Sequence, residues 1–176
     1  GENARPRQLV GGRAQTPWKL KLAKVVLREP ANWWRSMQID LGSRDGLQVN
    51  LPVLTTEGLV GRVASVSLTR SQVVLLGDPN CKVAARVENE TRDTGVISAD
   101  GPLAAQLVRM AYLSRGAELK PAQRVFTSGE GGIFPKGIPI GQIVDVQPVD
   151  YGLRYEARVR LAANLNALEE VWVMFP

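Results

Sequence analysis

The sequence predicts an all-β protein made of two tandem small β-barrel domains with little helix, and three observations carry that prediction. First, residues 53–66, VLTTEGLVGRVASV, return in altered form at 125–146, VFTSGEGGIFPKGIPIGQIVDV. Anchoring Val53 on Val125 puts Leu47 on Leu119. After an insertion of about eight residues in the second copy, Gly61 falls on Gly141 and Ser71–Leu76 on Tyr155–Arg160. A repeat of roughly 75 residues is too long for a solenoid unit and suits two similar small domains. Second, β-branched residues alternate with polar ones between Gly and Pro breakers. Third, no amphipathic helical pattern of ordinary length runs anywhere from 18 to 176.

The elements follow in order. Residues 1–17, with Pro6, Gly11, Gly12 and Pro17, read as a linker. Leu20, Leu22 and Val25-Val26-Leu27 predict a strand over 19–27, stopped by Pro30, which belongs to the first barrel or crosses to pair near the C-terminal strand. In 36–41, Met37, Ile39 and Leu41 alternate with Ser36, Gln38 and Asp40, and Asp45-Gly46 supplies turn chemistry. Strands are expected at 52–55, 59–66, 72–76 and 81–87, then a charged hairpin-like stretch over 88–95. Asp100-Gly101-Pro102 is a break, so the first domain is assigned 18–104 and the second 105–176. Ala104–Met110 and Arg124–Thr127 read as strands, and 128–139 as a wide loop with too many Gly and Pro for a regular element. Leu153, Tyr155, Ala157, Val159 and Leu161 make one face of the clearest strand, with Arg154, Arg158 and Arg160 facing solvent on the other. A single helical turn fits 161–170, and a last alternation carries Val171, Val173 and Phe175.

Composition bounds the chemistry. Hydrophobic residues are 44% of the chain, enough for a packed core, and the net charge of +5 is dispersed rather than clustered. Histidine is absent, which removes Ser-His-Asp and Cys-His dyads, an imidazole base and imidazole metal ligands. Cys81 alternates with Val83, Ala85 and Val87 and reads as a buried structural thiol. The Gly-rich 128–141 segment runs into Ile140-Gly141-Gln142-Ile143, a strand and not a helix N-terminus, so it is no phosphate cradle. Glu169 and Glu170 are adjacent and on a strand would face opposite ways. No catalytic, cofactor-binding or metal-binding residues are expected, and no enzymatic activity. Exposure-prone chemistry instead nominates Trp33, Trp34, Ile133, Phe134 and Tyr151 as protein-contact residues. Trp33-Trp34 reads first as packing between the domains, and the Ile133-Phe134 tip alternatively as folded back on a core.

Several strings, in order, resemble the extracytoplasmic part of the MreC family of rod-shape-determining proteins. They are Arg28-Glu29-Pro30 with Trp33-Trp34, Ile39-Asp40-Leu41-Gly42 before Asp45-Gly46, and Pro52-Val53. Gly58-Leu59-Val60-Gly61-Arg62-Val63 and Leu75-Leu76 with Asp78 come next. Thr127-Ser128-Gly129 and Phe134-Pro135-Lys136-Gly137-Ile138-Pro139-Ile140-Gly141 complete the set. Glu2-Asn3-Ala4-Arg5 is similar to the end of the coiled coil that precedes this region in the family, although Pro6 would interrupt a helix. Asn50 and Ala122 depart from the pattern, standing where the family usually has Gly.

The resemblance implies a single-pass protein of the bacterial inner membrane whose barrels lie on the periplasmic side, anchored by a helix upstream of this chain. It implies a non-catalytic scaffold of cell elongation that self-associates as a dimer or filament. The implied partners are the class B penicillin-binding transpeptidase, MreD and RodZ. It implies neither a cofactor nor nucleic acid. The rival readings are a periplasmic adaptor of an export system, which would need a helical hairpin inside the β region, and a glycan-binding module, favoured by the Trp pair.

Overall fold

The computed structural model describes residues 18–99, 106–113 and 118–176. The lead-in at 1–17 and the break at Asp100-Gly101-Pro102 lie outside the described residues. Among the described residues the strands are β1 (Lys19–Leu27), β2 (Ser36–Ile39), β3 (Pro52–Leu54), β4 (Leu59–Val66), β5 (Ser71–Leu75) and β6 (Val83–Val87). The second half adds β7 (Thr94–Ser98), β8 (Leu107–Leu113), β9 (Arg124–Thr127), β10 (Pro139–Val149), β11 (Arg154–Leu161) and β12 (Glu170–Phe175). Short 3₁₀ turns at Pro30–Asn32, Ser43–Asp45 and Leu165–Ala167 are the helical elements among these residues.

The strands close into two six-stranded antiparallel barrels. One runs β1-β12-β3-β4-β5-β2 and the other β10-β11-β8-β7-β6-β9. Closure leaves neither sheet with an unpaired edge. Alternate residues point inward, so Ile39, Leu54, Leu59 and Leu75 fill the first barrel while Ile97, Met110 and Ile140 fill the second. Burying each such side chain contributes about 1.5–3 kcal/mol.

The barrels are copies of one another down to single hydrogen bonds. Gly61 pairs with Leu75 and Val53, and Gly141 with Leu161 and Val125. A Cβ on Gly61 would lie 2.0 Å from the Val74 carbonyl oxygen, and one on Gly141 would lie 2.0 Å from that of Arg160. Glycine is therefore dictated at both positions by the closeness of the neighbouring strand. The Asn50 N–H donates to Val63 O and the Ala122 N–H to Ile143 O, each at 2.8 Å. Both ladders bulge at the matching place, between Val63 and Ser65 and between Ile143 and Asp145. This register places Ser71 on Ala157 and Leu75 on Leu161, two residues beyond the expected Ser71–Leu76 match to Tyr155–Arg160. A slip of two preserves the inward and outward alternation, so the hydrophobic pattern could not reveal it.

The division expected near residue 104 does not follow the strands. β6 and β7 belong to the second barrel and β12 to the first. The repeats are β1–β6 and β7–β12, and each barrel takes its sixth strand from the other repeat. In sequence Asp100-Gly101-Pro102 falls inside the second repeat, between β7 and β8, and turn-forming residue types carry no information about which sheet a strand joins. The 88–95 stretch leads directly into β7, whose short TGVIS run is masked by the charges before it. β1 does pair with the C-terminal strand, with Lys19 opposite Phe175, and both lie in the first barrel.

Candidate functional site

The five nominated contact residues sit on three connections: Trp33 and Trp34 between β1 and β2, Ile133 and Phe134 between β9 and β10, and Tyr151 between β10 and β11. The first belongs to one barrel and the others to its twin. β10 runs eleven residues, roughly 35 Å of strand, and separates the 128–138 loop from the Tyr151 turn. The structure does not gather these residues into one patch.

Thr127 organises the wide loop. Its buried hydroxyl donates to Pro135 O at 2.5 Å and accepts from the Ile138 N–H at 2.9 Å, while the Gly137 N–H bonds Thr127 O. These bonds draw the loop back over its own base. Phe134 is consequently only 5% exposed and Ile133 half-buried, so the tip is presented by Glu130, Gly131 and Gly132. Phe134 is a core residue, so it does not present the exposed aromatic contact expected of it.

Trp33 and Trp34 meet edge to face, with ring centroids 5.8 Å apart and planes at 86°. Both are half-buried, and the Trp34 indole N–H is buried without a hydrogen-bond partner. The Arg28 guanidinium donates to the Trp33 carbonyl and, at 2.7 Å, to Leu165 O. Burial pulls the Arg28 pKa down. The N–H of Leu165 donates in turn to Gln106 Oε1 at 3.1 Å. Arg28 in the first barrel and Gln106 in the second thus hold the 162–169 connection from both sides, and the Trp pair, next to the Arg28 anchor in sequence, packs partly against the core. A Cβ on Gly58 would lie 2.7 Å from Pro139 O, so the β3–β4 turn also abuts the start of β10.

Tyr151 is fully exposed, with Leu153 at 60%. Asp150, Tyr151 and Gly152 all take positive φ, at 51°, 56° and 82°. Asp and Gly accept left-handed backbone readily while Tyr does so at a cost, and the turn leaves the phenol clear of the barrel.

The basic face of β11 is largely neutralised on the spot. Arg158 grips Asp145 with Nε at 2.9 and 3.0 Å, Arg154 pairs with Asp150, and Arg109 lies 3.9 Å from Glu156. The Arg158 hydrogen bonds hold the Asp145 carboxyl below its usual range. Cys81 is buried, and desolvation pushes its thiol up to about 12. Glu169 and Glu170 are not both on a strand, so the alternation expected of them does not apply. Glu169 lies in a bend before β12 begins, and both residues line one groove with Leu22, Glu57 and Trp172. A pair of acids beside an alternating strand was the available signal for that groove, but strand periodicity assigns them opposite sides.

A family described as the barrel core of the rod shape-determining protein MreC matches residues 25–175. The cell shape-determining protein MreC of Listeria monocytogenes is 34% identical over 155 residues, covering 86% of this chain and 52% of the relative. This chain therefore spans about half the length of the curated relatives it matches. A solved MreC of the same organism superposes with a TM-score of 0.85 at 30% identity, over 98% of this chain and 83% of that one. An MreC of Helicobacter pylori, solved in complex with penicillin-binding protein PBP2, shares the fold with a TM-score of 0.71 at 16% identity, over 89% and 97%. Twin barrels matched from β1 to β12 and a relative above 30% identity agree: the chain belongs to the MreC family of cell shape-determining proteins.

Proposed function

We propose that this chain is the barrel portion of a non-catalytic scaffold of the cell-elongation machinery. It works on the periplasmic side of the inner membrane, anchored by a helix outside the chain, and acts by binding. It self-associates, and it binds the elongation-specific class B penicillin-binding transpeptidase and biases it toward its active conformation, so that wall synthesis maintains the rod. MreD and RodZ are further partners on this reading. The observation that carries it is the architecture: two closed barrels in a chain without histidine, of a family named for cell shape. The Helicobacter relative captured with PBP2 supports the choice of transpeptidase. Closed sheets make strand addition at an edge unavailable, so contact falls to loops and barrel faces.

The test is saturable binding of the purified chain to the periplasmic part of the transpeptidase, followed by transpeptidase turnover with and without it. Binding with raised turnover is expected. Binding only to cell-wall glycan fragments, read as a shift in Trp fluorescence, would favour the glycan module instead.

A further inference from the structure

A groove crosses the first barrel where β1, β12, the Thr55–Glu57 turn and the 164–169 connection meet. Its apolar floor is Leu22, 45% exposed, the half-buried Trp172 opposite it in the β1–β12 register, and Leu168 beside them. Its rim carries Glu57, Glu169 and Glu170, and neither lysine nor arginine lines it. Lys24 faces Glu170 across the ladder but lies outside the groove. None of the three carboxylates takes part in an ion pair among the described residues. On a chain of net charge +5 this is a local reversal of sign.

The rim is also built. The Glu57 N–H donates to Thr55 Oγ1 at 3.2 Å, and Thr56 Oγ1 donates to Glu57 Oε2 at 2.9 Å. Those hydroxyls hold the Glu57 carboxyl below its usual range, so it stays ionised. On the other side, the Val25 N–H bonds the Glu169 carbonyl at 2.9 Å and fixes the bend that carries both remaining acids.

We propose that this groove docks an extended segment of a partner protein in which a large apolar side chain is flanked by lysines or arginines. The apolar side chain covers Leu22 and the Trp172 ring, removing exposed apolar surface from water. The flanking cations meet Glu57 on one side and Glu169 with Glu170 on the other, and the indole face adds a cation–π contact. An acidic or purely apolar segment would strip water from three carboxylates without replacing it. A peptide probe reads this groove without the transpeptidase, so failure here and failure of the transpeptidase reading are distinguishable.

The probe is a fluorescein-labelled alternating Lys/Leu peptide with a central Phe, titrated into the intact chain by anisotropy at low and high salt. Saturable binding is expected, with affinity about tenfold weaker in the double variant Glu169→Lys/Glu170→Lys and in Leu22→Ser. Glu57→Lys, on the separate turn, should weaken it as well, while Glu130→Lys, in the 128–138 loop, should leave it unchanged. Unshifted urea midpoints confirm that the variants remain folded. No binding, equal binding by wild type and groove variants, or equal loss with Glu130→Lys overturns the proposal. Sedimentation showing that Leu22→Ser abolishes self-association would also overturn it, since the occupant would then be a second copy.

Discussion

Asn50 and Ala122 stand at φ 75° and 74°, each donating to the bulged strand of its own barrel. The family resemblance expects glycine at both places, and the structure shows a backbone that suits it: both are left-handed. Ala122→Gly should therefore stabilise the chain by about 0.5–1 kcal/mol, read as a higher urea midpoint. Asn50→Gly should gain less, because Asn tolerates that conformation and accepts a hydrogen bond from Arg62 at 3.2 Å. Cys81 was legible as a buried thiol from its alternation with valines, but how far its pKa rises depends on neighbours far away in sequence. The native protein should react with a thiol reagent at pH 8 only as fast as it unfolds. Because the folded thiol keeps its proton up to about pH 12 while the unfolded one releases it near 9, stability falls as pH rises through that window. Cys81→Ala should flatten this alkaline loss, and identical pH profiles for the two proteins would refute the burial argument.

At the level of elements, strands with clean alternation such as β2, β11 and β12 could be read directly, since period-two patterning is local. The 128–138 loop could not. An aromatic among four glycines reads as a displayed tip, and only the Thr127 hydroxyl, bonded to residues eight and eleven positions away, shows that it folds inward. Phe134→Ala should accordingly cost about 3–5 kcal/mol, as a core truncation does. Tyr151→Ser, on a turn that lifts its side chain into water, should change stability by no more than about 0.5 kcal/mol. Thermal melts of the two variants side by side distinguish the loop that belongs to the core from the turn that does not. The groove was equally hidden, because Leu22, Glu57 and Trp172 come from three elements that only barrel closure brings together.

For the molecule as a whole, the internal repeat was visible in the sequence and the exchange of sixth strands was not. Similarity along a chain reports ancestry, whereas sheet membership is settled by long-range pairing. A fragment comprising 83–161 holds all six strands of the second barrel and should fold alone, with cooperative unfolding and β-type circular dichroism. Fragment 18–104 lacks β12 and carries β6 and β7, which it cannot use, while 105–176 lacks β6 and β7 and carries β12, so both should remain unstructured when separate. Folding of either by itself would contradict the exchange. The same topology sets Lys19 beside Phe175 on adjacent antiparallel strands. Anything attached ahead of β1 and anything attached behind β12 must leave from a single corner. A tether fixed there would swing the pair of barrels like a flag on its pole, leaving the far side unobstructed for whatever approaches it.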